Sequence, residues 1–218
     1  MNTFTRKLAV ITALSLSNGT FAADPATPSV PPDEALNRLK AGNVRFVSSK
    51  ESASKPVAAR RAETAAGQNP FAIVVACSDS RTGPETVFDQ NLGNLFVIRN
   101  AGTLVDDYGL GSIEYAVEHL GVRLIVVLGH ERCGAVTAAI AGSSAPGHIN
   151  ALVRDIQPAV AATKGKEGDA LANAIHENDA LVAAKIRKQA QLGELAAQVR
   201  VVEGYYDLET GKIEWTAK

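Results

Sequence analysis

A chain of 218 residues that is 46% hydrophobic and 21% charged has apolar material for one sizeable core and too little compositional bias for disorder. Its 22 Lys and Arg against 23 Asp and Glu give a formal net charge of −1. With no basic excess to neutralise a phosphate backbone, nucleic acid is excluded as a partner.

Residues 1–22 read differently from the rest. Arg6 and Lys7 precede the apolar run Leu8 to Leu16, and small and turn residues follow as far as Ala22 and Ala23. That is the layout of a signal peptide cleaved after Ala22, which predicts a periplasmic or secreted protein. A stable membrane anchor needs about 20 continuous apolar residues, whereas Ser15, Ser17, Asn18 and Gly19 interrupt this run. Residues 23–32, with DPATPSVPP at 24–32, read as a Pro-rich spacer. A single domain is expected over 33–218.

From Asp33 onward, Ala35, Leu36, Leu39, Val44, Phe46 and Val47 recur at near-helical spacing, with Gly42 and Asn43 between them; the pattern predicts one bent helix or two. Three short runs rich in β-branched residues follow, FAIVVAC (71–77), LFVIRN (95–100) and RLIVVLGH (123–130), and read as buried parallel strands. SIEYAVEHLG (112–121) places Ile113, Ala116, Val117 and Leu120 on one helical face, as a crossover helix requires. AVTAAIAG after Cys133 and the Ala-rich stretch 147–192, broken around Lys164 to Gly168, predict further helices. RVVEGYYDLETGKIEWT (200–216) predicts a hairpin turning at Glu209 to Gly211. The fold class is therefore α/β: a mainly parallel sheet with helices on its faces and a C-terminal hairpin, a class whose sites form beyond the carboxyl ends of strands.

Cys77 ends the first predicted strand, His130 ends the third, and Cys133 follows in His-x-x-Cys spacing, so all three fall on one sheet edge. Two thiolates and an imidazole form a borderline-soft donor set, and three protein ligands leave the fourth tetrahedral position of Zn2+ open, as a catalytic site requires. The competing reading is a disulfide between Cys77 and Cys133 in an exported, non-enzymatic binding module, since two cysteines in an oxidising compartment commonly pair.

CSDSR (77–81), Pro84-Glu85, LFVIRNAG (95–102), IEYAVEHLG (113–121) and GHERCGAV (129–136), together with LKAGNVRFV (39–47), resemble the β-class carbonic anhydrases in order and spacing. The resemblance implies one Zn2+ per chain on Cys77, His130 and Cys133, with Asp79 and Arg81 as an ion-paired dyad beside the fourth position. It implies carbon dioxide and bicarbonate as substrate and product. It further implies a homodimer or dimer of dimers whose active site lies against a second subunit. Similarity to plant-type members adds Gln68 as a donor to substrate oxygen, Phe96 and Tyr115 as pocket walls, and Gly134 as a point of close backbone approach. His119, one turn beyond Tyr115 on the same helical face, is placed as a proton acceptor, a task that suits an imidazole. Members that turn their Asp onto the metal carry a Trp and a Gly where this chain has Val74 and Ala76, which implies an open site here. Glu131 and Arg132 are larger than the residues common between the His and the second Cys. Relatives of this fold that hydrolyse carbonyl sulfide or carbon disulfide provide the alternative substrate reading.

Overall fold

The computed structural model describes residues 30–49, 56–142 and 146–216. The signal-peptide expectation for 1–22 and most of the expected spacer lie outside the described residues. Helix α1, Pro32–Val47, opens with a proline at its first position, where a missing N–H costs nothing. It is one helix rather than two. Gly42 sustains it by close approach, since a Cβ there would stand 1.8 Å from the Phe88 carbonyl oxygen. Asn43 is buried and donates to the carbonyls of Val87 (3.0 Å) and Gly211 (2.8 Å) while accepting from the Ile213 amide.

Helix α2, Val57–Thr64, and strand β1, Ala72–Cys77, follow. Then come the single-turn helix α3, Pro84–Val87, strand β2, Leu95–Asn100, and helix α4, Asp107–His119. Neither α2 nor α3 carries an apolar periodicity long enough to be predicted. Helix α4 begins earlier than the apolar pattern suggests, because Asp106 caps it by accepting from the Gly109 amide at 2.8 Å. Strand β3, Leu124–His130, leads into α5, Gly134–Ala141. Helices α6, Ile149–Thr163, and α7, Ala170–Gln189, precede a short 3-10 turn and the hairpin of β4, Arg200–Tyr206, and β5, Ile213–Trp215.

The five strands run in the order β2-β1-β3-β4-β5, with every pair parallel except β4 and β5. Alternation along β1 and β3 builds two cores. Val74, Ala76, Val126 and Leu128 face α1, while Ile73, Val75, Ile125 and Val127 face α4 and α7. Both strands are buried throughout, which explains their unbroken apolar runs. From β1 the chain goes to β2 on one side, and from β3 it goes to β4 on the other. The carboxyl ends of β1 and β3 thus border the crevice where strand order reverses, the favoured place for a site in such sheets. Among the described residues no helix is long and apolar enough to cross a membrane.

One feature of α7 opposes the apolar plan. Asp179 is buried, its Oδ1 has no protein hydrogen-bond partner, and it rests on Gly129, where a Cβ would stand 1.9 Å from Oδ2. Burial, and then the negative charges of Glu203 and Cys77, push its carboxyl well above the usual range. A carboxyl raised in this way costs the fold nothing below the unfolded value near 3.9 and progressively more as pH climbs toward the folded value. Asp179→Asn removes that cost. Chemical denaturation in chelator should show little gain for the variant at pH 4 and a clear gain at pH 8, bounded by about 1.4 kcal/mol per pH unit. An equal effect at both pH values overturns the assignment.

Candidate metal centre

Cys77 is the last residue of β1, His130 the last of β3, and Cys133 sits at the N-cap of α5. The parallel register Ala76↔Leu128 carries Cys77 and His130 to the same end of adjacent strands. A two-residue turn, with Arg132 in the left-handed region at φ 55°, folds Cys133 back beside them. The three ligating atoms lie within 4.8 Å of one another and all three residues are buried. Both cysteines are free thiols, which removes the disulfide-bonded module.

His130 Nδ1 lies 2.8 Å from the Glu131 carbonyl oxygen, so the ring is oriented through that atom and Nε2 faces the sulfurs. Nε2 is buried with no hydrogen-bond partner. An orphaned imidazole nitrogen beside two buried sulfurs is the donor set of a borderline-soft cation. The neighbouring Cys133 and His130, with the Gly102 amide, hold the Cys77 thiol well below its ordinary range, while Cys77 and burial push Cys133 above it. Two buried sulfurs this close oppose each other's ionisation, and a dication among the three atoms would offset that repulsion. The residues present therefore fit a metal ion.

Beside this group stands the Asp79 and Arg81 dyad. Arg81 grips the carboxylate with both arms, Nε to Oδ1 at 2.9 Å and Nη2 to Oδ2 at 2.7 Å, and its backbone amide adds a third bond to Oδ1 at 3.0 Å. These bonds, Arg81's side chain first, hold Asp79 well below the usual carboxylate range. Asp79 Oδ2 comes to 3.9 Å from His130 Nε2, at the mouth of the ligand group. A Cβ at Gly134 would meet no other atom within 4 Å, so the space beside Cys133 is left clear.

The remaining expected residues gather elsewhere on the chain. Phe96 pairs with Ile73 near the amino ends of the strands, and α4 runs back toward that end, finishing at His119. Ring centroids of Phe96 and Tyr115 lie 6.4 Å apart, and those of Tyr115 and His119 5.1 Å apart. Tyr115 is 48% exposed, and Gln68 is exposed in the segment before β1. The structure thus brings Tyr115 and His119 together, as the helical spacing predicts, and sets Phe96 beside them, but not beside their own chain's Cys77 and His130.

Two residues given no role by the sequence reading shape the ligand loop. Arg99 donates to the carbonyls of Cys77 (2.7 Å) and Asp79 (2.6 Å), and the Gly102 amide donates to Cys77 Sγ at 3.3 Å. Both lie in the RNAG segment, whose polar residues at a strand end were the available signal. Glu131 and Arg132 are explained by the hairpin: the Glu131 carboxylate accepts from the Leu208 amide at 3.1 Å, and Arg132 pairs with Glu209 at 3.1 Å.

A soft, three-donor centre at the switch point of a parallel sheet defines a class of metal-dependent α/β proteins. Within that class, the carbonic anhydrase family model matches residues 72–213. Carbonic anhydrase 2 of Mycobacterium tuberculosis is 46% identical over 137 residues, covering 61% of this chain and 66% of the relative. A carbonic anhydrase of Mycolicibacterium smegmatis is 38% identical over 195 residues, covering 86% of this chain and 94% of the relative. The solved β-carbonic anhydrase of Coccomyxa, in complex with acetazolamide, matches at a TM-score of 0.68 and 26% identity over 86% of each chain. The chain belongs to the β class of the carbonic anhydrase family.

Elemental analysis tests the donor set. Cys77→Ser, His130→Ala and Cys133→Ser should each lose bound metal, because two of three donors hold a borderline ion weakly. Full metal occupancy in all three variants would place the ion elsewhere.

Proposed function

We propose that this chain is a zinc-dependent lyase catalysing the reversible hydration of carbon dioxide to bicarbonate and a proton. The observation that carries the reading is the meeting of three buried donor atoms within 4.8 Å with an Asp79 carboxylate, fixed by Arg81, 3.9 Å from His130 Nε2. Family membership supplies the substrate class.

Cys77, His130 and Cys133 would hold one Zn2+ per chain. When bound, zinc supplies a Lewis acid that makes water a nucleophile near neutral pH. The chain's own residues do the rest. Asp79 stays ionised, and its Oδ2 retains acceptor capacity beyond the Arg81 bond. It therefore holds the nucleophile's hydrogen and aims the lone pair at the substrate carbon. Arg81 keeps that carboxylate from rotating, and Arg99 anchors the backbone on both sides of Ser78. The apolar cluster of Val136, Ala139, Val153 and Ile156 packs around the two cysteines and screens their sulfurs from bulk water. Val74 is fully buried in the core, so in this reading Asp79 remains with Arg81 and the site stays open.

Phe96, Tyr115 and His119 then serve across a subunit boundary, in a homodimer or dimer of dimers, with Gln68 reaching the substrate from the same side. The exposure of Tyr108 (88%), Leu92 (52%) and Tyr115 (48%) supports such a contact. The signal-like residues 1–22 support a periplasmic or secreted location.

Stopped-flow assays offering carbon dioxide, carbonyl sulfide and carbon disulfide in parallel should show turnover of carbon dioxide with a single titration near neutral pH and no cooperative inhibition by bicarbonate. Turnover of a sulfur compound alone overturns the substrate assignment, and a steep sigmoidal loss on acidification overturns the open site. Arg81→Gln should lower kcat/KM about 10–100-fold with metal retained, since it releases the group that orients Asp79. His119→Ala should lower kcat in weak buffer, leave kcat/KM nearly unchanged and recover with added imidazole. An unaltered kcat in weak buffer eliminates His119 from proton transfer.

A further inference from the structure

We propose that Asn178, on α7, is a positioning residue for the metal centre, aiming the Gly102 amide at the sulfur of Cys77. This rests on the metal-binding reading of Cys77, His130 and Cys133. The Asn178 side chain is buried and donates to the Gly102 carbonyl at 2.9 Å, while the Gly102 amide donates to Cys77 Sγ at 3.3 Å. One residue thus links a helix and a ligand that are far apart in sequence.

The loop leaving β2 does not hold this shape by backbone preference. Gly102 has φ 87° and Thr103 φ 55°, two consecutive residues in the left-handed region. A Cβ at Gly102 would stand 2.8 Å from Ile156 and 3.1 Å from Ala135, so the loop is also pressed against α5 and α6. Side chains clamp it from outside. Asn100 bridges the amide and carbonyl of Leu104, both at 2.7 Å, and Lys185 donates to the Val105 carbonyl at 2.6 Å. Of these clamps, Asn178 alone grips the residue whose amide touches the sulfur. Without it, the Gly102 carbonyl loses its partner in a buried setting and the two peptide planes flanking Gly102 are free to turn.

An N–H bond to a thiolate draws charge from the sulfur and weakens its donation to a cation. Losing the bond leaves the sulfur more electron-rich, a change that is visible optically. In the full chain loaded with cobalt(II), the wild type should show a near-ultraviolet thiolate-to-cobalt charge-transfer band that Cys77→Ser diminishes. Asn178→Leu, similar in volume but without a donor, should move this band to longer wavelength, with far-ultraviolet circular dichroism unchanged. Asn43→Leu removes a buried clamp of the same kind on the other side of the sheet. It should lower stability and leave the band in place. If Asn178→Leu does not fold, Asn178→Ala gives the same readout. An unshifted band in a folded Asn178 variant, or an equal shift in Asn43→Leu, overturns the positioning role. A wild type with no cysteine-dependent cobalt band overturns the metal reading itself, and that failure is seen before any Asn178 variant is compared.

Discussion

The parallel register of β1 against β3 is the constraint from which the rest of the site follows. Because Ala76 pairs with Leu128, the last residues of two neighbouring strands reach the same edge, and the chain needs one tight turn to add a third donor. Ion-binding side chains at strand ends inherit the rigidity of the sheet, and this sheet's two central strands are buried on both faces. The cost of that placement is charge in an apolar setting. Cys77 and Cys133 stand among Val136, Ala139, Val153 and Ile156, where paired thiolates are tolerable only with a cation or a shared proton between them.

Much of this was legible from residues. The runs ending in Cys77 and His130 announced buried strands because β-branched residues covering both faces leave no alternation, and strand ends define an edge without any knowledge of packing. The Asp79 and Arg81 pairing came from the family resemblance of CSDSR rather than from any local pattern, and the two side chains do meet. What could not be read depends on contacts between distant segments. Helix α1 passes through Gly42 and Asn43 unbroken because Phe88, Val87 and Gly211 receive them there, and no local pattern encodes those partners. Likewise, Tyr115 and His119 could be placed on one face by period, but their distance from Cys77 follows from the direction of α4 across the sheet. Asn178 was invisible because a polar residue inside an amphipathic helix looks like a solvated one until its acceptor, the Gly102 carbonyl, is located.

The electrostatics of the site divide into two layers with opposite solutions. On the open side, Asp79 is kept ionised by three hydrogen bonds from Arg81, so a fixed negative charge faces the position where a nucleophile must be oriented. On the buried side, Asp179 lies against Gly129, one residue from His130, where desolvation and then the charges of Glu203 and Cys77 oppose its ionisation. A second fixed anion there would add to the charge already carried by two thiolates and oppose their ionisation. Asp179 and Asn178 are consecutive on α7, so the helix turn that supplies the loop clamp also carries the acid into the core. The polar contacts that shape the Cys77 loop and the destabilising carboxyl behind β3 share one structural origin: α7 packs so close that a Cβ at Gly129 would meet Asp179 while the adjacent Asn178 reaches the Gly102 carbonyl.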